Sequence, residues 1–303
     1  MDHDQWRLLM RHIRHAAAIS PRPSRRFHYP DTLIVGMYLW SVAHDRPMCW
    51  ACDRAHYNAV FRPRQYCRQL PSISQFHRRV KSERVRAILQ RIHDAASGRC
   101  VPTAIASVDG KALPISPVSK DPDARRGYAG ARQMGHGYKL HALASEDRRI
   151  VTWCVRPMNE HEMPVARTLL TSLPEGFFSP RSLLLADGNY DSHDLHKDVA
   201  RLGGHLVTHL RGRARHAVTL RQMGAARRAL LRVDRTARSL LRMVRRHRNE
   251  IELTFSNLTS YGGGLGPLPP FVRRLSRVTR WVGAKIILYH TRLHLRRRRL
   301  REA

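Results

Sequence analysis

The chain has 303 residues, 42% of them hydrophobic, which is enough to bury one sizeable core with a smaller one beside it and excludes a chain that is disordered throughout. Lysine and arginine number 55 against 23 acidic residues, so the formal charge is +32 at pH 7. Because guanidinium groups match phosphate oxygens, this charge indicates a polyanionic partner, with nucleic acid as the first candidate. A genome rich in G and C would explain the preference for arginine over lysine, but not an excess over acids of this size.

No part of the sequence resembles an export signal or a membrane span. The N-terminus lacks a charged segment followed by an apolar one, and the longest apolar run, Leu33 to Trp40, is far too short to cross a bilayer. Five cysteines, an odd number scattered along the chain, favour reduced thiols over a disulfide framework. We therefore expect a cytoplasmic, nucleoid-associated protein with no membrane partner.

Residues 1–100 show the periodicity of helices. Apolar residues recur there at intervals of three and four, as in Trp6, Leu9, Met10 and Ile13. Ser72 is the predicted N-cap of a helix that carries Arg78 and Arg79 on its solvent side. The pattern favours a helical DNA-binding domain of helix-turn-helix type, in which these two arginines contact DNA. A plain helical bundle with a solvated basic face explains it almost as well.

From residue 101 onward the pattern changes to short apolar strands. They are predicted at 103–108, 138–144, 150–155, 183–186 and 205–210. The charged, glycine-rich stretch 121–137 predicts a loop, and helical spacing separates the later strands. Three strands followed by alternating helices and strands indicate an α/β domain over residues 101–303, with a mixed sheet flanked by helices.

The last third of the chain is strongly basic and helical in pattern. The segment at about 211–238 shows no strand alternation, and residues 240–258 carry the apolar stripe of one long helix. Glycines and prolines interrupt the pattern at 261–270. A final helix starting at Phe271 leads into a basic C-terminal tail with four arginines from Arg296, which either contact phosphates or fray in solvent.

Three acidic residues stand out as candidates for chemistry. Asp109 and Asp187 each follow an apolar strand and precede glycine, so both should lie at strand ends, where open α/β sheets gather active sites. Strand-end Asp-Gly is also an ordinary turn, which is the better interpretation for either residue alone. Glu252 follows the apolar residue Ile251 at the edge of a core face, where a charge without a function is unfavourable. A surface salt bridge to Arg248 would also explain it.

The combination of three acids, a basic chain and an α/β sheet favours catalysis. Two divalent cations about 3.5 to 4 Å apart stabilise the attacking and leaving oxygens of a phosphodiester displacement, and carboxylates are ligands that Mg²⁺ prefers. We predict that Asp109, Asp187 and Glu252 are catalytic and hold two Mg²⁺ or Mn²⁺ ions. Asp191 is a rival to Asp187, which is favoured by its position at a strand end.

Three blocks around these acids resemble the acidic blocks of bacterial insertion-sequence transposases of the DDE class. They are Ser107 to Lys111, Leu184 to Ser192 and Arg248 to Phe255. The resemblance covers about residues 103–293. It implies a ribonuclease H-like core, dependence on Mg²⁺ or Mn²⁺, and cleavage of double-stranded DNA at terminal inverted repeats followed by transfer to target DNA. The expected assembly on DNA is a homodimer.

The last catalytic helix departs from a Tyr, Arg, Glu, Lys signature that many of these transposases carry. Arg248 and Glu252 match it, but Arg245 stands in place of the tyrosine and Thr259 in place of the lysine. The resemblance implies that Arg248 contacts a phosphate, and we also count Arg245 and Lys111 among the predicted DNA contacts. Whether DNA ends pass through a hairpin is left open by the departure.

Two other interpretations compete with a transposase. A metal-dependent nuclease on the same core would use the same acids without joining ends. An inactive, transposase-derived DNA-binding protein would keep the acids for folding alone.

Overall fold

The computed structural model describes residues 2–21, 28–98, 101–130, 133–209, 224–236, 238–260 and 264–302. The chain divides into two compact units, the first formed by Met1–Ser97 with Asn257–Ala303 and the second by Gly98–Ser256. Residues 257–303, which the sequence assigned to the second domain, group with the N-terminal helices instead. No helix of the described residues is long and apolar enough to cross a membrane.

The N-terminal part of the first unit is helical, as predicted. Its helices are α1 (His3–Ala18), α2 (Asp31–Ala43), α3 (Ile73–Val80) and α4 (Glu83–Ser97). Helix α2 is apolar on all sides, and every residue from Leu33 to Val42 is buried, which makes it the central helix of the group. Helix α3 begins after Ser72, whose hydroxyl accepts from the Gln75 amide while the Gln75 side chain accepts from the Ser72 amide, so the predicted N-cap is confirmed.

The second unit contains a mixed sheet, as predicted. Its strands are β1 (Ile105–Pro114), β2 (Arg125–Gly130), β3 (Gln133–Ser145), β4 (Ile150–Pro157), β5 (Leu183–Leu185) and β6 (His205–Val207). Strand β1 is central, antiparallel to β3 on one side and parallel to β5 on the other, and β6 continues the sheet beyond β5. Strands β2 and β4 pair with successive halves of β3.

Strand β2 lies in the stretch that was predicted to be a loop. Its Gly127 passes so close to the backbone of Met158 that an added Cβ would lie 2.3 Å from the Met158 carbonyl oxygen. Glycine is therefore needed for this crossing, although it weakens the sequence signal of a strand.

Helices cover both faces of the sheet. On one face, α5 (Glu162–Thr171) and α6 (His193–Arg201) pack with strand residues such as Val108 and Leu143. On the other face, Leu230 and Leu241 from α7 (Ala225–Thr236) and α8 (Arg238–Arg246) pack against Leu185 and Val207. The predicted basic segment at about 211–238 is described only in part, because residues 210–223 lie outside the described residues.

The single long helix predicted over residues 240–258 is divided in two. Helix α8 ends at Arg246, and α9 (Asn249–Ser260) begins after a turn that contains Arg248. The apolar stripe continues through the turn, so periodicity alone could not reveal the division. Arg248 therefore lies in a turn between two helices rather than within one long helix.

Helix α10 (Leu275–Glu302) completes the first unit. It begins four residues later than predicted, after Pro269 and Pro270, and its buried stripe packs on α4, α1 and α2. The buried Lys285 ammonium donates to Asp45 at 2.7 Å. The N-terminal helices thus bury the apolar stripe of α10.

Candidate active site

Asp109 and Asp187 lie at the same level of two neighbouring parallel strands. Ser107 pairs with Leu185 at the end of the parallel ladder, and each aspartate follows its paired residue by two positions. The backbone is still extended at Asp187, so the alternation of side chains places both carboxylates on the same side. The two acids are therefore neighbours in the structure. Asp187 follows the end of β5 as predicted, but β1 continues to Pro114, so the strand end predicted at Asp109 is wrong.

Backbone amides orient both carboxylates. The Asp109 carboxylate accepts from the Gly110 amide at 2.7 Å, and Asp187 accepts from the Asn189 amide at 2.8 Å and from the Asn189 side-chain amide at 3.2 Å. Asp187 thereby caps a short 3-10 turn, Gly188–Tyr190. The Asp-Gly turn that competed with the catalytic interpretation is therefore present at Asp187, whereas Asp109 and Gly110 both lie within β1.

The ionised form of Asp109 is unfavourable in this environment. Burial raises the pKa of Asp109 to about 6, the Gly110 amide opposes this, and the charge of Asp187 raises it further. Arg248 lowers the same pKa and Glu162 raises it. Because the negative charges of Asp109 and Asp187 are poorly compensated, a cation bound between the two carboxylates would stabilise both.

Arg248 connects Asp109 with Glu252. Its Nη1 lies 3.7 Å from Asp109 Oδ2, and its Nη2 donates to Glu252 Oε1 at 2.7 Å. The Glu252 side chain is 55% exposed, so the surface ion pair that the sequence allowed is present, yet the same guanidinium reaches the catalytic candidate on β1. Among the described residues, no three metal-ligating side chains are close enough to hold an ion.

The rival acid Asp191 has a different environment. Its side chain is fully buried and accepts from Arg227 Nε at 2.8 Å and Nη2 at 2.6 Å. His196 Nε2 lies 3.5 Å from the same carboxylate. Asp191 therefore holds α7 against the start of α6, whereas Asp187 lies beside Asp109.

Sequence reasoning missed Glu162 as a member of this site. Glu162 accepts from Lys139 Nζ at 2.9 Å, and both side chains are largely buried. They lie against Gly110, where an added Cβ would be 3.2 Å from Glu162 Oε1 and 2.9 Å from Lys139 Cδ. An acid in the first turn of a helix is too common to be a signal, because it also stabilises the helix dipole.

Tyr190 lies beneath the acids. The residue is fully buried, and within the described part of the chain its hydroxyl has no hydrogen-bond partner. Burial raises the pKa of Tyr190 well above its ordinary value, and the charges of Glu162, Asp109 and Asp187 raise it further. The phenol therefore remains protonated and is a hydrogen-bond donor close to the acids.

The predicted DNA contacts are found in several places. Lys111 lies two residues after Asp109 on the same face of β1, and burial lowers its pKa. On α3, Arg78 is exposed, whereas Arg79 forms a buried ion pair with Asp31 at 2.5 Å, and Arg84 binds the other oxygen of Asp31. The side chain of Arg245 lies outside the described residues.

The two arginines of α3 should therefore respond differently to substitution. Arg79→Gln is expected to lower the free energy of unfolding by about 2 kcal/mol, because it removes one partner of a nearly buried carboxylate. Arg78→Gln should change it by less than about 0.5 kcal/mol, since an exposed side chain with no special role is lost. Urea unfolding of the two variants, with the same change of charge, measures the difference. Equal stabilities would show that the Asp31 pair does not hold α3 in place.

A pH-dependent stability is expected at Asp109 in the absence of divalent cations. The folded-state pKa is raised from 3.8 to about 6, so the stability that Asp109 contributes is complete below pH 3.8 and is lost as the pH rises through about 6. Asp109→Asn avoids this loss, and the variant should be more stable than the parent by up to about 3 kcal/mol near pH 8 but not near pH 4. Urea unfolding in EDTA measures both values. A difference that does not change with pH would contradict the expectation.

Comparisons with known proteins identify a family for this chain. Residues 102–265 match the family model "Transposase DDE domain", which is more than half of the chain. No curated protein matches the chain. A chain of the solved structure "Cryo-EM structure of piggyBac transposase synaptic complex with hairpin DNA" is similar at 13% identity and a TM-score of 0.34, over 75% of this chain and 52% of that one. This protein thus spans about half the length of that neighbour. By the match of residues 102–265, which include all three predicted catalytic acids, the chain belongs to the transposase DDE domain family.

Proposed function

We propose that this protein is a bacterial insertion-sequence transposase that cleaves DNA at terminal inverted repeats and joins the ends to target DNA. The observation that carries the proposal is the placement of Asp109, within β1, beside Asp187, which follows the neighbouring parallel strand β5, with Glu252 linked to Asp109 through Arg248. The family match covers all three residues. We further propose a ribonuclease H-like core, which is supported by a central β1 that is antiparallel to β3 and parallel to β5.

Two of the three proposed ligands are placed to hold a divalent cation. Asp109 and Asp187 offer adjacent oxygen ligands, and the ionised state of Asp109 is costly without added positive charge. Glu252 would join them once its contact with Arg248 is released. Two Mg²⁺ or Mn²⁺ ions held by these acids would supply charge stabilisation to the attacking and leaving oxygens of the phosphodiester.

Basic side chains of the chain itself have separate tasks in this proposal. Arg248 leaves the carboxylates and binds a phosphate oxygen of the DNA, since its fork-shaped group suits both partners. Lys111, on the same face of β1 as Asp109, neutralises the next phosphate along the DNA strand. Lys139 keeps Glu162 in place beside Gly110. The net charge of +32 supports double-stranded DNA as the partner, and we propose a homodimer as the assembly that holds two ends.

A strand-transfer assay tests the proposal. The full-length chain is mixed with end-labelled DNA of the sequence that flanks its gene and with a supercoiled target plasmid, in Mg²⁺, in Mn²⁺ and in EDTA. We expect cleavage and covalent joining of the DNA in Mg²⁺ and in Mn²⁺. Neither reaction should occur in EDTA. Cleavage without joining would support the nuclease. Binding without cleavage in any metal, with Asp109→Asn equal to the parent, would support the inactive DNA-binding protein.

A further inference from the structure

Helices α1 and α10 bring together a group of cations within the first unit. Helix α1 carries three arginines and residues 292–301 of α10 carry six, whereas the acids of these two segments and the end of α10 are Asp4 and Glu302. The two helices are in contact, and the rings of His12 and His294 lie 6.3 Å apart. These two helices therefore give the first unit a surface that is rich in positive charge.

The surroundings of His294 show how close these cations are. Burial lowers the pKa of His294, and so do the positive charges of Arg11, Arg297, Arg298 and Arg301. Arg11 comes from α1 and the other three arginines from α10. We call these four arginines with His12 and His294 the α1–α10 basic face.

Local acids neutralise little of this charge. Glu302 accepts from Arg298 at 2.7 Å, and Asp4 lies 3.6 Å from Arg299 outside the basic face. Arg11 and Arg301 are exposed, and within the described residues neither has an acidic partner. Like charges three and four residues apart destabilise a helix. Repulsion among its arginines therefore destabilises the end of α10 unless a bound polyanion offsets it.

The other basic candidate of this unit is less available. The helix-turn-helix prediction placed DNA contacts at Arg78 and Arg79 of α3, but Arg79 and Arg84 both bind Asp31. These guanidinium groups already have a carboxylate partner, whereas those of Arg11 and Arg301 point to solvent. The α1–α10 basic face is therefore the better site for phosphate contacts in the first unit.

The dimensions suit a DNA backbone. Residues 292–301 of a helix extend over about 14 Å, and successive phosphates of one strand advance about 3.4 Å along a duplex, so this segment spans roughly four base pairs. Cations on two contacting helices form a surface wider than one recognition helix. Such a surface matches a line of phosphates better than it matches the edges of particular bases.

We propose that the α1–α10 basic face binds the phosphate backbone of double-stranded DNA without regard to sequence and supplies a large part of the electrostatic affinity of the protein. The choice of DNA as the polyanion rests on the proposed transposase function. The binding surface itself lies within the first unit and does not involve the catalytic acids.

The test compares two triple variants of the full chain. The first, Arg11→Gln with Arg297→Gln and Arg301→Gln, removes three charges from the basic face. The second, Arg62→Gln with Arg64→Gln and Arg68→Gln, removes three exposed charges elsewhere in the same unit and is the matched control. Fluorescence anisotropy with a labelled duplex of about 30 base pairs, in EDTA and between about 50 and 200 mM salt, gives the affinity and its salt dependence.

We expect the first variant to bind about 10 to 100 times more weakly than the parent and to lower the slope of log affinity against log salt by about 2 to 3, because each lost phosphate contact removes about 0.9. The control variant should lower this slope by less than 1. The thermal midpoint of the first variant should equal or exceed that of the parent, since repulsion is removed. Equal losses in the two variants would mean that only total charge matters and would overturn the proposal.

Further measurements separate this inference from the proposed function. Duplex RNA or anionic vesicles that compete as well as duplex DNA does, and through the same arginines, would overturn the assignment to DNA. If the parent neither cleaves nor joins DNA but the first variant alone loses binding, the proposed function fails and the binding surface stands. If the parent cleaves through Asp109 but the first variant binds as the parent does, the inference fails and the proposed function stands.

Discussion

Asp109→Asn and Asp187→Asn should each reduce DNA cleavage by at least about 1,000-fold, which corresponds to roughly 4 kcal/mol of transition-state stabilisation. Asparagine keeps the shape of each side chain but removes the negative charge and one oxygen ligand. Single-turnover cleavage of an end-labelled duplex in Mg²⁺ measures the loss. Glu175→Gln, an exposed acid of the same unit, is the control and should cleave at the parent rate.

Stability measurements distinguish this loss from unfolding. Because Asp109→Asn is expected to be more stable than the parent at neutral pH without metal, an inactive but more stable variant would identify a group kept for function at a cost to the fold. Isothermal titration with Mn²⁺ adds a readout independent of cleavage and should show weaker binding. Cleavage within tenfold of the parent in both aspartate variants would contradict the proposed site.

Glu252→Gln decides between the two interpretations of the third acid. As a metal ligand, Glu252 should be as necessary as the aspartates. As a surface ion pair with Arg248, it should contribute about 0.3 to 0.5 kcal/mol to stability and nothing to cleavage. The result therefore also tests whether the contact with Arg248 opens when DNA and metal bind.

Asp191→Asn should have the largest effect on stability. Its carboxylate is fully buried and forms two hydrogen bonds with Arg227, whose side chain is 14% exposed. Loss of the charge leaves a guanidinium buried without a counter-ion, which costs about 3 to 5 kcal/mol, and this is a large fraction of the stability of an ordinary domain. Urea unfolding of the full chain, with circular dichroism as the probe, measures the loss.

The double variant Asp191→Asn with Arg227→Met is the matched control for that prediction. With both charges removed, the unpaired guanidinium is gone, and most of the lost stability should return. Cleavage should return with it, because Asp191 acts only through the fold. A loss of less than about 1 kcal/mol in the single variant would contradict the structural role.

The part of the site that could be predicted from the sequence depends on short-range patterns. An apolar run followed by Asp-Gly identified both β1 with Asp109 and β5 with Asp187, because strand and turn are encoded within a few neighbouring residues. The Ser72 cap was readable for the same reason. Each of these features is local. The Ser72 cap and the turn at Asp187 were found where they were expected, whereas the strand end predicted at Asp109 was wrong because β1 continues to Pro114.

The features that were missed depend on distant neighbours. Glu162 comes near Asp109 because β3 brings its partner Lys139 beside Gly110, and nothing in the sequence around Glu162 signals this. The division between α8 and α9 leaves the apolar periodicity unchanged. Helix α10 has an ordinary apolar stripe, and no property of that stripe tells which helices of the chain will cover it.

The two-residue spacing from Ser107 and Leu185 to the acids has a consequence for how this protein can vary. The acids are joined to the sheet directly, so insertions or deletions in the loops that connect the elements between Pro114 and Leu183 need not move either carboxylate. A slip of one residue within either strand would instead turn that carboxylate to the opposite face of the sheet. Loop length is therefore free to diverge among copies of such a protein, whereas the strand-to-acid interval is confined to a single value.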